Sequence, residues 1–424
     1  MQGLIDFLAN SYTAYQATEN AAAFLERHGF VRLKETDDWQ LCEGGKYFVV
    51  RGGSALIAFT VDGLDDFAFR IVASHTDSPA LKLKENPVRD GGVYTTLNAE
   101  KYGGGIFYSF FDRPLKVAGR IVVEENGALL SQHVVSEKVV TIPSLAVHMN
   151  RGVNEGFAVN AQTDLQPLFS LKTGEEGAGW TSFVTDRDVV AHDLYLVSAD
   201  APYTFGANDE FLASPRIDNL TSVYSSLEGL VSHAAAGGVC IAACLDSEEI
   251  GSRTLTGAAG DFLENVLKRI AYAFKFDENE YYKSLASSFL LSADNAHAMH
   301  PNHPEKSDPT NKTVMGGGVV IKAHADKAYT TDAMSAAVVK TVFNRAGVKY
   351  QTFFNRSDMR SGGTLGSISL EHVGVLSADI GLALLAMHSA VECFAKCDYE
   401  EMVNGLTAFY SSQIVVGEDG VQVK

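Results

Sequence analysis

Tryptophan occurs twice, cysteine five times and proline ten times in 424 residues, and 34 Lys and Arg are outnumbered by 52 Asp and Glu. Each shortage excludes something. Five cysteines, an odd number in a chain this long, do not make the paired framework of a small secreted scaffold and suit a reducing compartment. A formal charge of −18 repels polyanions and argues against general nucleic-acid binding. It would also repel an acidic substrate at long range, so any preference for one requires a local cation. The longest apolar runs, such as Val239 to Leu245, fall far short of the roughly 20 residues that cross a bilayer. The start, Met-Gln-Gly-Leu-Ile-Asp, lacks the basic residues and apolar core of a signal peptide. A cytoplasmic protein with neither membrane nor nucleic-acid partners is expected. No Gly-x-Ser-x-Gly elbow or His-Glu-x-x-His helix is present, and neither Gly103-Gly104-Gly105 nor Gly316-Gly317-Gly318 sits between a strand and a helix as a phosphate loop does.

What is present fits a folded enzyme. At 46% hydrophobic and 20% charged, the chain can build two domains around substantial cores. Residues 2 to 29 have helical apolar spacing, and strand-like runs follow at Lys46 to Val50, Ala55 to Val61 and Phe67 to Ser74. Residues 87–192 change texture to short alternating strands and turns, with Asn126-Gly127 marking a hairpin between Leu115 to Glu124 and Ala128 to Val135. This predicts an inserted β-rich domain. Afterwards strands and helices alternate: a helix after Asp218, strands at Val239 to Leu245, Phe289 to Ser292, Val319 to Ala323, Tyr350 to Asn355 and Val373 to Leu376, and closing helices from Ser389. The expected fold is α/β, with residues 1–86 and 193–424 forming a three-layer domain around a mainly parallel sheet.

Candidate chemistry falls at strand ends, where an open α/β sheet places its ligands. His75 and Asp77 close one strand, and an Asp two residues after a metal-binding His can take the second imidazole hydrogen bond. Asp218 has a plainer reading as a helix N-cap. Glu248 and Glu249 close an apolar strand; adjacent carboxylates point different ways, so one can hold a metal while the other serves as general base. Asp294 follows another apolar strand, and His388 sits in an apolar stretch where a satisfied core histidine is the ordinary expectation. Cys240 with Cys244, and Cys393 with Cys397, have same-face spacing in apolar segments and read as buried small residues rather than a zinc site.

Five segments together, His75-Thr76-Asp77-Ser78-Pro79, Ser214-Pro215-Arg216-Ile217-Asp218-Asn219, Asp246-Ser247-Glu248-Glu249-Ile250-Gly251-Ser252, Ser292-Ala293-Asp294-Asn295-Ala296-His297-Ala298 and Met387-His388-Ser389, resemble the metal-site motifs of the aspartyl aminopeptidases, in the family's order. The resemblance implies two zinc ions per subunit, with cobalt or manganese also compatible with such ligands. Asp218 would bridge them, His75 and Asp294 completing one site and Glu249 and His388 the other. Glu248 would be the general base and Asp77 the partner of His75. It further implies that Lys322, otherwise readable as a surface lysine, and Tyr329 line the pocket for an acidic N-terminal residue of a peptide. His148, otherwise an ordinary strand-end histidine, would reach a neighbouring subunit's active site, the insertion serving dimerisation within a homo-oligomer, a tetrahedral dodecamer in the family. Two other readings keep less of this: a dinuclear hydrolase of broader or different specificity, and an assembly particle with a vestigial site. The presence of Glu248 beside every ligand argues against the last.

Overall fold

Strands that are apolar at every position must be covered on both faces, and Ala55–Val61, Phe69–His75 and Val239–Leu245 are buried at every residue. In the computed structural model, which describes residues 1–65, 67–172, 179–359, 361–417 and 420–424, they lie in the middle of a nine-stranded sheet. Its order is Val31–Leu33, Lys46–Arg51, Ala55–Val61, Val239–Leu245, Phe69–His75, Phe289–Ala293, Leu376–Gly381, Val319–Lys322 and Tyr350–Phe353. Five pairings are parallel and three antiparallel.

Alternation along the strands sorts side chains to opposite faces. Cys240, Ala242 and Cys244 join one apolar cluster with helices Gln2–Asn10, Ala14–Arg27, Ile217–Ser232, Ala333–Ala346 and Lys396–Tyr410, through Phe7, Leu25, Leu227, Phe343 and Phe409. Ile241 and Ala243 join another with Phe262–Ala273 and Glu278–Ala286, through Phe262, Leu267 and Tyr281. Each fully buried Phe or Leu is worth about 1.5–3 kcal/mol over exposure.

The second sheet is antiparallel throughout, in the order Ala128–Val135, Leu115–Glu125, Val189–Ser198, Ala80–Asp90, Tyr94–Tyr102 and Leu168–Leu171. Asn126 and Gly127 turn its hairpin with φ of 52° and 79°, the two positive values a tight primed turn needs. The sheet has its own apolar cluster. It runs from Ala80 to Ser198, overrunning residues 87–192 at both ends.

Some details differ from expectation. The strand expected at Val373 to Leu376 is Leu376–Gly381, because the preceding residues turn out of the short helix Leu365–Ser369. Closing helices from Ser389 are replaced by a strand, Glu392–Ala395, and one helix from Lys396. That strand belongs to a third sheet with Tyr203–Phe205, Phe211–Ser214, Ala383–Leu385 and Ala296–His297. Its strands are too short for periodicity to betray them. Cys240 and Cys244 are buried, but Cys397, in the first turn of the last helix, is exposed.

Behind the sheet, at the far end of Val239–Leu245 from Glu248, His233 Nε2 lies 3.0 Å from Asp62 Oδ2, with Arg70 3.4 Å from the same oxygen. Burial lowers the imidazole's affinity for protons, but the hydrogen bond to Asp62 and the neighbouring Cys240 outweigh it and raise His233 from 6.5 to about 10. A raised folded value means that the pair's contribution is whole below pH 6.5 and is lost as pH climbs toward 10. The melting temperature of wild type should therefore exceed that of His233→Gln most near pH 6, the gap closing toward pH 10. A gap independent of pH in paired melts would refute the assignment.

Candidate metal centre

Parallel pairing brings three strand ends to one edge. Leu245 is in register with His75, and Ser292 with Ala73, so His75, the Glu248–Glu249 turn and Asp294 leave the sheet side by side. The third sheet supplies the rest: Phe211–Ser214 leads to Asp218 and Ala383–Leu385 to His388. Arg216, Ser247 and His388 adopt φ of 60°, 65° and 66°, left-handed values that cost non-glycine residues energy and here turn the chain at three of the five ligand segments.

His75 Nδ1 lies 3.0 Å from the carbonyl of Asp77 and 3.4 Å from its Oδ1. The nitrogen facing those oxygens carries the proton, which leaves Nε2 as the donor atom, 3.7 Å from Asp294 Oδ1. The Asp77 carboxylate also accepts the backbone N–H of Glu248 at 3.0 Å and of Glu249 at 3.2 Å, and the Tyr102 hydroxyl at 2.8 Å. One carboxylate thus orients the first histidine and holds both glutamates in place.

His388 Nε2 is 3.2 Å from Asp218 Oδ2 and 3.3 Å from Glu249 Oε1, while its Nδ1 faces the Gly104 carbonyl at 3.0 Å. Glu392, absent from the sequence reading, clamps the pair: its two oxygens accept the backbone N–H groups of Asp218 at 2.8 Å and His388 at 2.6 Å. A glutamate four residues after His388 in an apolar strand was the available signal.

Donor atoms of His75, Asp218 and Asp294 lie within 4.8 Å of one another, and so do those of Asp218, Glu249 and His388. Asp218 is common to both groups. Glu249 Oε1 is buried and makes no hydrogen bond, its charge met at 3.3 Å by His388 Nε2, and a cation between the two would satisfy the carboxylate oxygen and the imidazole together. The charges tell the same story. Burial, only partly offset by His75, pushes Glu248 up to about 7, with Asp294, Asp77 and Asp218 adding to it. Burial also raises Glu249, against the opposing pull of His388. His388 rises to about 10, its burial outweighed by Asp218 and Glu249, and His75 rises because Asp294 and Asp77 outweigh its burial. Crowded carboxylates that draw protons onto two imidazoles are a site lacking positive charge, and a mixed imidazole and carboxylate set of this kind fits zinc. By contrast, the Asp62, His233 and Cys240 group behind the sheet already has Arg70 Nη2 3.2 Å from the sulfur and has no such need.

A cleft opens over these groups, lined by His75, Asp218, Glu248, Asp294 and His388 and also by Lys322, Tyr329, His297 and Gly362 to Thr364. Lys322 is only 1% exposed, not a surface lysine. Its Nζ donates to the Asn295 carbonyl at 3.3 Å, sits 3.7 Å from Asp294 Oδ2 and lies 5.0 Å from the Tyr329 ring centre. Burial lowers its proton affinity, but Asp294 and Tyr329 outweigh this, so it stays charged. His297, three residues after Asp294, was not singled out from the sequence; desolvation, with Lys322 and His388 nearby, lowers its pKa. His148 is exposed in a turn of the β-rich segment and is not among the residues lining the cleft.

A sequence profile of the family described as Aminopeptidase I zinc metalloprotease (M18) matches residues 7–410. A protein of Clostridium acetobutylicum named probable M18 family aminopeptidase 2 is 38% identical over 422 residues, covering 96% of this chain and 98% of its own length. Among solved structures, Ape4 in its cryo-EM complex with Nbr1 superposes with a TM-score of 0.92 at 33% identity, covering 96% of this chain and 84% of Ape4. The S. cerevisiae mApe1 dodecamer matches with a TM-score of 0.80 at 26% identity, covering 96% of this chain and 95% of that one.

Proposed function

The chain belongs to the M18 family of zinc metallo-aminopeptidases, and from that premise we propose that it removes an acidic residue, Asp or Glu, from the N-terminus of peptides at a centre of two zinc ions. The supporting observation is Asp218, common to two compact groups of donor atoms beside a cleft that a buried, charged lysine lines. His75, Asp218 and Asp294 would hold one ion, and Asp218, Glu249 and His388 the other. When bound, the pair supplies Lewis acidity toward the scissile carbonyl and lowers the pKa of water. Glu248 takes a proton on its carboxylate from the attacking water and returns it to the leaving amine. Its position beside the ligands, lining the cleft, suits a group that must both accept and give a proton.

Specificity falls to Lys322, with Tyr329 and His297 beside it. Buried ammonium and short side-chain carboxylate would pair out of water, where the overall charge of −18 no longer opposes them. His148 would act from a second subunit: residues 87–192 form the oligomerisation domain, residues 1–86 and 193–424 the three-layer catalytic domain, and dimers build a larger shell such as the dodecamer described for mApe1. The protein is read as cytoplasmic; among the described residues no helix is long and apolar enough to cross a membrane.

Hydrolysis of aspartyl, glutamyl and leucyl chromogenic substrates, together with elemental analysis, tests the reading. Preference for the acidic pair with two zinc ions per chain is expected. Equal turnover of the leucyl substrate would remove the specificity, and one ion per chain the dinuclear centre. Within that panel, Lys322→Ala should cost about 2–5 kcal/mol of kcat/KM on the aspartyl substrate relative to the leucyl one, the worth of a desolvated charge pair. An unchanged ratio would take Lys322 out of the pocket.

A further inference from the structure

Asp379 is fully buried in the strand Leu376–Gly381, 0% exposed, and takes no part in the metal centre. Antiparallel register places it directly opposite Lys322, so the two side chains share one face of the sheet. Its carboxylate is spent on two loops. Oδ2 accepts the backbone N–H of Thr330 at 2.6 Å and its hydroxyl at 2.8 Å, and Oδ1 accepts the Thr364 hydroxyl at 2.6 Å. The backbone N–H of Asp379 donates to the Thr331 hydroxyl at 2.8 Å. Thr330 follows Tyr329, and Thr364 ends the Gly362 to Thr364 segment that also lines the cleft. The second loop is seated closely: a Cβ on Gly366 would lie 2.6 Å from Ser292 Cβ and 3.3 Å from Asp379 Oδ1.

We propose that Asp379 is the positioning residue of the pocket for the substrate's first side chain, one carboxylate tying the Tyr329 loop and the Gly362 to Thr364 loop to the strand that carries Lys322. This rests on the reading of Lys322 as the cation for an acidic side chain. Two walls of the pocket, the Lys322 strand and the Tyr329 loop, are neighbours in sequence and the third, Gly362 to Thr364, is remote from both; Asp379 is a single group hydrogen-bonded to the two loops while lying opposite Lys322 on the adjoining strand. Pockets hold affinity when their walls are fixed before binding, since ordering them on binding would consume it. Asp379 does not touch the reacting atoms. Its loss should therefore act on recognition of the acidic side chain more than on the rate of the chemical step.

Kinetics on the assembled, zinc-loaded enzyme separate the possibilities, using Asp379→Ala, Asp379→Asn, Thr364→Val and Lys322→Ala with aspartyl and leucyl substrates and zinc analysis. Asp379→Ala cuts both tethers and should raise KM for the aspartyl substrate about tenfold, with kcat, leucyl KM and zinc content close to wild type, the pattern of lost binding rather than lost chemistry. Asp379→Asn should restore most of that KM, because an amide oxygen can accept from Thr330 and an amide nitrogen can donate to the Thr364 hydroxyl. Thr364→Val, which cuts one tether with little change of volume, should shift KM the same way by less, and it carries the test if Asp379→Ala does not fold. Parallel losses on both substrates, loss of zinc, an unchanged aspartyl KM, or an Asn variant no better than the Ala variant would each overturn the assignment. If Lys322→Ala abolishes the acidic preference while the Asp379 and Thr364 variants keep it, only this inference falls. If Lys322→Ala keeps the preference, the specificity reading falls and takes this one with it.

Discussion

Glu248→Gln should lower kcat by about a thousandfold, within the range that a positioned general base contributes, while zinc content stays at the wild-type level. Glu249→Ala should lose zinc. The two residues are neighbours in sequence, share burial and hang from the same carboxylate through consecutive backbone N–H groups, so composition and environment alone would not tell them apart. Geometry does. Glu249 Oε1 approaches His388 Nε2 at 3.3 Å and belongs with Asp218 to one donor group, whereas the Glu248 side chain lines the cleft. Amidation of a general base removes its proton-accepting oxygen at nearly constant volume. Elemental analysis paired with turnover decides the roles: equal zinc loss in both variants would mean that they are misassigned.

A mixture of His148→Ala and Glu248→Gln chains should recover activity that neither variant has alone. His148 is exposed and absent from the cleft lining of its own chain, so a contribution to the scissile carbonyl has to come from a partner. The role proposed for His148 there is to donate to the oxyanion that develops on that carbonyl, and removing one such donor costs about a hundredfold to a thousandfold in kcat. In a mixed dimer, one site combines an intact Glu248 with the partner's intact His148. Random pairing makes half the dimers mixed, with one working site in each, so about a quarter of wild-type activity should return. Co-expression with two different affinity tags isolates the mixed species. A mixed assembly as inactive as its parents would exclude action across the interface.

How much of this was legible beforehand varies from residue to residue. Strands that are apolar throughout, such as Val239–Leu245, announce burial on both faces, and the Asn126-Gly127 turn announces its hairpin, because both signals are local. The ligand candidates came from motifs at strand ends, and the fold brings their donor atoms together. His297 and Asp379 were not legible, and Glu392 carried only the weak signal of a glutamate four residues after His388 in an apolar strand. Each stands in a segment of ordinary composition, and its importance lies in partners far away in sequence: Glu392 meets Asp218 across 174 positions, and Asp379 meets Thr330 across 49. The third sheet stayed hidden because strands of two to four residues carry no periodicity.

By itself the sequence determined the class of the fold and the kind of chemistry: a sheet buried on both faces, a β-rich insertion, and acidic and imidazole side chains at strand ends, all consequences of hydrophobic pattern and side-chain chemistry that each segment carries alone. The tertiary structure alone decided which of those groups meet. Lys322 could have been a solvated surface lysine until antiparallel pairing placed its strand against Leu376–Gly381 and buried its ammonium within 3.7 Å of Asp294. Asp218 could have been a helix cap until a third sheet brought His388 to 3.2 Å from it. Strand order and register set these distances, and they result from the packing of the whole chain rather than from any stretch of it.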